Sequence, residues 1–446
     1  MLLKKIKNIK SVFVVVLFIS AFIIKLSFSI VFGEFENPEL YEHGMIAKCM
    51  LESGNYTMHW PYPPLSEERI KEQQVSPHYK KAWIPPINPF ILFLFLKVFG
   101  ITKLAYFLYI LLNILLSSLT VLVVYYLSKE FLTENASRAS AIISLLYLPN
   151  THIVITFSGA PIYHLLSLIV IWLIIKNIKS VSTLNLILLG ISSALLCLTR
   201  SEFLGLMILY FFIMIIIFKF YNQNKYIRNI SIAIASFLFI LMPWTIRNYN
   251  EFNKFIPVTS HPWHEIWRGN NPLSTGGAIA SNGRYNWLGF DASHTRLINI
   301  IDSIPLNNRF ELVVDSVFKE EVLTYWRNEP LKALTNMFKR GFYYWTTDLT
   351  DSKSKDIKLI IVTYPVLICI LCGLWCAFKE RKKRIMQDIL IIFSAFFIFY
   401  TITVAVININ IRYQVYLYST LMPFTGIGFY FLKNLIFKKK EQLFIS

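Results

Sequence analysis

Apolar runs of about 20 residues, the length needed to cross a hydrocarbon core at 1.5 Å per residue, recur along nearly the whole chain. "SVFVVVLFISAFIIKLSFSIVF" opens the series, and the same template places spans near 11–33, 102–127, 137–156, 161–176, 183–199, 203–219, 229–246, 357–378, 386–407 and 413–432. With 55% hydrophobic residues over 446 positions and a mean hydropathy of +0.52, the chain lacks the polar surface to coat a water-soluble globule. The expectation is an all-α polytopic membrane protein with about ten transmembrane helices. The basic flank "MLLKKIKNIK" is that of a signal peptide, but the apolar stretch after it is too long and lacks a small-x-small cleavage site, so it reads as a retained first span.

The net charge of +18 does not call for a nucleic-acid partner, because the cations sit in short clusters between spans. Lys4 to Lys10, Lys129 to Arg138, Lys176 to Lys179, Lys219 to Arg228, Lys379 to Arg384 and Lys433 to Lys440 all fall on one side if the N-terminus is cytoplasmic. That gives about 20 cations inside against about two, Arg200 and Arg412, in short loops outside. Residues 1–246 then form an N-terminal transmembrane core with a first extracytoplasmic loop at 34–101, residues 247–356 a second long extracytoplasmic segment, and 357–446 the C-terminal helices. Polar material is concentrated on one face, which points to work at that membrane–water interface. Cys369, Cys372 and Cys376 share one helix face with no histidine or carboxylate beside them, the pattern of packing residues and not of a metal site.

In the first loop, "FENPELYEHGMIAKCMLESGNY" supplies Asn37 as N-cap, Pro38 as first helical residue and Gly54 as stop, predicting a helix over about 38–53. Leu40, Gly44, Ala47 and Leu51 would form one apolar or small stripe, with Glu39 and Glu42 on another side and Glu36 just ahead. "HYKKAWIPPINPFILFLFLKVFG" reads as an interfacial or re-entrant helix with Lys80, Lys81 and Trp83 at headgroup level. The second loop ends in two amphipathic helices separated near Pro330. No phosphate-binding glycine loop follows a strand, so neither ATP hydrolysis nor a Rossmann-type nucleotide site is supported.

The order of "ENPELYEHGMIAKCMLESGNY", "WIPPINPFILFLFLKVFG", "LTRSEF", "MPWTIRNYNEFNKFIPVTS", "WRGNNPLSTG" and "LTYWRNEPLKALTNMFKRGFYYW" resembles bacterial membrane glycosyltransferases of the GT-C fold, the protein-mannosyltransferase and aminoarabinose-transferase-like group (glycosyltransferase family 39-like). The resemblance implies a multi-pass enzyme of the cytoplasmic membrane that moves a sugar from a polyprenyl-phosphate donor to a lipid, glycan or protein acceptor on the extracytoplasmic face, with inversion. It also implies a loop-one acid acting as base or metal ligand, a role divided among Glu39, Glu42 and Glu36 because Asn37 occupies the spacing where the group usually has an aspartate. Arg247, in the most specific motif, together with Arg200, Arg412 and Lys81, would hold the donor phosphate; a helix-end arginine also commonly just snorkels to headgroups.

Asn270 and Asn271 of the turn-forming run, with His264 and Glu265, would contact substrate, and Trp263 and Trp267 would stack on sugar or lie in the interface. The triplet His261, His264 and Glu265 in "HPWHEIW" lacks a fourth metal ligand, which argues against zinc. Many relatives hold a divalent ion with an acid in the second outer turn, where this chain has only His152 and His164, so a divalent cation is left open and no other cofactor is called for. Two other readings remain: a polymerase or ligase using a lipid-pyrophosphate-linked glycan, and a lipid or glycan transporter with charges lining a path.

Overall fold

In the computed structural model, which describes residues 2–58, 81–221, 225–286, 295–437 and 444, the chain is built from helices and forms no strand among those residues, only isolated bridges such as Ile279 to Tyr285. Eight helices are long and apolar enough to cross a membrane: Val12–Phe32, Lys103–Ser128, Ala160–Lys179, Phe203–Phe220, Tyr226–Phe252, Ile357–Lys379, Arg384–Val406 and Ile411–Phe437. Two of the ten expected spans are shorter than that. The run at 183–199 gives the 15-residue helix Thr183–Cys197. The run at 137–156 breaks: the helix Glu134–Leu146 ends, Tyr147 is extended, and the chain resumes as Leu148–His152 and a 3-10 turn, Ile153–Ile155. Pro149 explains the break, since it has no N–H to return to the preceding turn and fits only the first turn of a new helix. Asn113 donates to the carbonyls of Val154 and Thr156 at 3.2 Å each, so this irregular backbone is satisfied by protein at a depth where lipid could not satisfy it.

Helix Lys103–Ser128 is central, packing on the first helix, on Glu134–Leu146 and on Ala160–Lys179. In lipid, helices gain from close backbone approach at small residues. Gly190 shows this where Thr183–Cys197 crosses Tyr226–Phe252, because a Cβ there would strike the Ala233 carbonyl and the Phe237 nitrogen. Gly428 does the same against the Cys369 carbonyl. The three cysteines of that span are free, with Cys376 buried and Cys369 and Cys372 half-buried.

Loop elements at one end of the bundle position the site. The loop-one helix runs Tyr41–Ser53 and stops at Gly54 in the left-handed region (φ 69°). Its start differs from the expected Pro38. The Glu34 carboxylate accepts the backbone N–H groups of Glu36 and Asn37 (2.9 and 3.2 Å), turning the chain before the proline, and the helix begins only at Tyr41, which itself takes a positive φ of 52°. The expected stripe is in place: Leu40 and Ala47 are buried against Leu92 and Leu96 of the 13-residue helix Ile87–Phe99, with Leu51 packed at the edge. The two amphipathic helices are Phe310–Asn328 and Pro330–Trp345, divided at Pro330. The second lies on Arg384–Val406 and leaves Leu331, Phe338 and Phe342 exposed.

Candidate active site

The loop-side ends of several spans and both long loops converge on one cavity of about 1390 Å³, above the ~300–1,000 Å³ of a usual small-molecule pocket. Its wall is made by the start of the loop-one helix (Glu39, Tyr41, Glu42, His43), the turn Thr199 to Glu202, the end of Arg384–Val406 with the chain that follows to Tyr413, the segment His261 to Arg268, and Arg284, Tyr285, Asp351 and Lys353. Segments more than 370 residues apart in sequence, Glu39 and Arg412 among them, thus share one chamber.

Of the sequence-expected residues, Glu39, Glu42, Arg200, Arg412 and Glu265 line this cavity. Arg200 is ion-paired with Glu202, and its guanidinium carbon lies 5.0 Å from the ring centroids of both Tyr163 and Tyr413. Burial works against its charge, but Glu202 and the surrounding tyrosines outweigh that and raise its pKa well above the ordinary value. Arg412 stands 5.8 Å over the Tyr41 ring and makes no ion pair with any described residue. Burial, and then the Glu39 carboxylate, raise the Tyr41 phenol. Burial lowers His43 to about 4, with Arg412 and Arg200 adding to the effect and Glu42 opposing it, so the imidazole between these charges is neutral at pH 7. Glu265 is held well below the usual carboxylate range. Burial raises it, and Arg268, which donates to it at 3.0 Å, outweighs that together with His261 and His264.

The other expected residues lie elsewhere. Glu36 is exposed and pairs with Lys103 on the surface. Arg247 does not line the cavity: it donates to the Lys81 carbonyl (2.6 Å), the Tyr56 carbonyl (3.2 Å) and Asn248 Oδ1 (3.0 Å). The rest of its motif also bonds the backbone, with Trp244, Thr245 and Asn248 donating to the carbonyls of Val258, Pro257 and Ile256. Lys81 and Trp83 are both buried within the protein, and Trp83 contributes to the cavity wall. Lys81 lies 4.0 Å from Glu311, and burial lowers it to about 8 while Glu311 opposes the shift; Lys80 lies outside the described residues.

Asn270 donates to the carbonyls of Ile266 and Val406 and accepts from Trp326 and Arg340, and Asn271 donates to the Trp267 carbonyl and accepts from Leu273. With Arg340 on the carbonyls of Ala405 and Gly269, they tie the second loop to the helix end that forms the cavity wall. His264 is fully buried behind that wall, beside Trp83 and Phe318, and burial lowers it to about 3. Trp267 is likewise buried, against Phe318.

Residues the sequence did not single out complete the site. Asn408 is 2% exposed on the cavity wall, and both polar atoms of its amide lack a hydrogen-bond partner. Buried amides are almost always satisfied, so this one is available to a polar ligand; "ININIRYQ" gives it no motif. Tyr163 and Tyr413 are visible in sequence only as aromatics near span ends. The divalent ion of the resemblance does not fit the second turn. His164 is buried between the Tyr163 and Tyr416 rings, His152 lies beside Phe28, neither lines the cavity, and the turn contributes Ser158 and Tyr163 to it, neither of them an acid.

No family model and no curated protein sequence matches the chain. Among solved structures, it is similar to the oligosaccharyltransferase of Archaeoglobus fulgidus in its apo form, with 11% identity, 96% of this chain and 52% of the other covered, and a TM-score of 0.51. The archaeal oligosaccharyltransferase AglB from the same organism, in complex with an inhibitory peptide and a dolichol-phosphate, gives 10% identity, 95% and 52% coverage and a TM-score of 0.52. ArnT from Cupriavidus metallidurans, bound to undecaprenyl phosphate, gives 12% identity, 93% and 77% coverage and a TM-score of 0.41. The chain spans about half the length of the archaeal enzyme. Eight helices among the described residues that are long and apolar enough to cross a membrane, the loop elements capping one end of them and the likeness to the two archaeal structures together make the chain an integral membrane protein with the GT-C fold.

Proposed function

We propose that the cavity transfers a sugar from a polyprenyl-phosphate donor to a hydroxyl of a lipid, glycan or protein acceptor on the extracytoplasmic face of the cytoplasmic membrane. The observation that carries this reading is Arg412, a cation on the cavity wall without an ion-pair partner among the described residues, sharing that wall with the carboxylates of Glu39 and Glu42. In this mechanism the bond between the anomeric carbon and the phosphate oxygen breaks, and its electron pair leaves with the phosphate. Arg412 meets that growing charge in a partly dry site, where a fixed donor is worth most. The acceptor oxygen bonds to the anomeric carbon from the opposite side, and its proton passes to Glu42 or Glu39. Arg200, neutralised by Glu202 and sandwiched between rings, shapes the pocket beside the phosphate. The neutral His43 and the unpartnered amide of Asn408 hold sugar hydroxyls. The archaeal structure that shares the fold carries a dolichol-phosphate, which supports a lipid-phosphate ligand for this architecture.

The test is to incubate purified protein with a panel of radiolabelled polyprenyl-phosphate sugars and candidate acceptors. Transfer from one donor, abolished in the Glu39→Gln/Glu42→Gln double variant while donor binding persists, is expected. Transfer only from lipid-pyrophosphate-linked glycans would make the protein a polymerase or ligase. Movement of lipid between leaflets with no sugar released from any donor would make it a transporter.

A further inference from the structure

His261, His264 and Glu265 occupy positions i, i+3 and i+4 around the short helix Pro262–Trp267, so they project to one side of it. His261 Nε2 and His264 Nδ1 each lie 3.6 Å from the same oxygen, Glu265 Oε1, and one ligand atom from each of the three residues falls within 4.8 Å of the others. Bond lengths of about 2.0–2.1 Å to nitrogen and carboxylate oxygen in a tetrahedral zinc site imply ligand atoms roughly 3.3–3.5 Å apart. We propose that these three residues bind one divalent transition-metal ion whose open coordination position faces the cavity.

Several observations support a built site over a chance cluster. His264 is fully buried and His261 nearly so. The His261 ring is stacked on Trp83 at a centroid distance of 4.0 Å with 8° between planes, and the His264 ring is held against Phe318 at 4.6 Å, so both imidazoles are fixed by packing. The helix start is itself anchored, because Asp315 Oδ1 accepts the backbone N–H groups of Trp263 and His264 at 2.9 and 3.1 Å. Arg268 Nη1 lies 3.0 Å from both oxygens of the Glu265 carboxylate, a contact that fixes the orientation of a ligating carboxylate.

The absence of a fourth protein ligand, which argued against zinc on sequence alone, is a property of reactive sites: two histidines and a glutamate leave one position for water or substrate. His261 and Glu265 line the cavity, so that position opens into the chamber shared with Glu42 and Arg412 and takes an oxygen ligand there. The imidazole pair favours zinc, cobalt or nickel over magnesium, which wants oxygen ligands. What the open position meets rests on the transferase reading; metal binding does not.

The experiment uses full-length protein in detergent, stripped with chelator and titrated with cobalt(II), read by visible d–d absorption. One equivalent should bind with the intense bands of a four-coordinate site, zinc(II) should displace it, and magnesium(II) should not. His261→Gln should weaken binding at least tenfold, and Glu265→Gln, at a half-buried position on the cavity wall, should do the same with the protein still folded by thermal unfolding. Absence of stoichiometric binding in the wild-type protein, or undiminished binding in both variants, would overturn the proposal. A protein that binds cobalt as described yet transfers no sugar would sink the transferase reading alone; one that transfers sugar and binds no metal would sink only the metal site.

Discussion

The rim of the cavity and the neck of the first loop each present an arginine at the end of a span, and the two arginines are used in opposite ways. At the neck, Arg247 gives its hydrogen bonds to the carbonyls of Tyr56 and Lys81 and to Asn248, and three aromatic rings surround it. At the rim, Arg412 stands over the Tyr41 ring and makes no ion pair among the described residues. The charge is alike, and the difference is whether the protein has already consumed the donors. A group committed to backbone carbonyls contributes to folding, whereas a group left without partners is held ready for a ligand.

The sharpest way to break this contrast is Arg412→Ala. Its kcat for sugar transfer should fall about 10²–10³-fold, the ~2.7–4 kcal/mol of one lost anion-stabilising donor, with the unfolding temperature unchanged; a matching drop in unfolding temperature would reassign it to scaffolding. Arg247→Ala should do the reverse. It should cost about 2–3 kcal/mol of stability through lost charged hydrogen bonds, seen as earlier thermal unfolding, while the folded fraction binds donor with wild-type affinity; a large loss of donor affinity would place Arg247 in the site. Asn408→Leu removes a buried unsatisfied amide, so unfolding should require about 1–2 kcal/mol more while KM for the donor rises several-fold. Unchanged KM would show that the amide reads no ligand.

The smallest effect concerns the neck again. Lys81 titrates at about 8 in the folded protein, below its unfolded value of ~10.4. Between those values the unfolded chain binds more protons, so the Lys81 contribution to stability rises as pH climbs from about 8 to about 10. Thermal unfolding of Lys81→Met across that window should show a flatter pH dependence than wild type, and an identical slope would mean another group titrates there.

Most of the architecture is legible in sequence because span length and apolar content are local properties. Lys103–Ser128 and Ile357–Lys379 lie within a residue or two of their expected bounds. Where reading failed, a single residue overrode a run: Pro149 broke a stretch of adequate hydropathy, and Glu34 with Tyr41 moved a helix start three residues past a proline that looked decisive. The site was only half legible. Glu39, Glu42, Arg200, Arg412 and Glu265 carried charges at recognisable span ends and loop starts. Arg247, Asn270 and Asn271 belong to equally conspicuous motifs, yet whether a side chain faces a cavity or a carbonyl 166 residues away is decided by tertiary contacts. Asn408 was invisible because its signal is an absent partner, which no sequence displays.

The neck has one further consequence. The Lys81 N–H donates to the Tyr56 carbonyl at 3.1 Å, and Arg247 donates to the carbonyls of both residues, so one side chain clasps two segments of the first loop together. Loss of that one guanidinium therefore loosens two segments at once, and the second of them runs on through Trp83, Ile84 and Pro85 into the cavity wall.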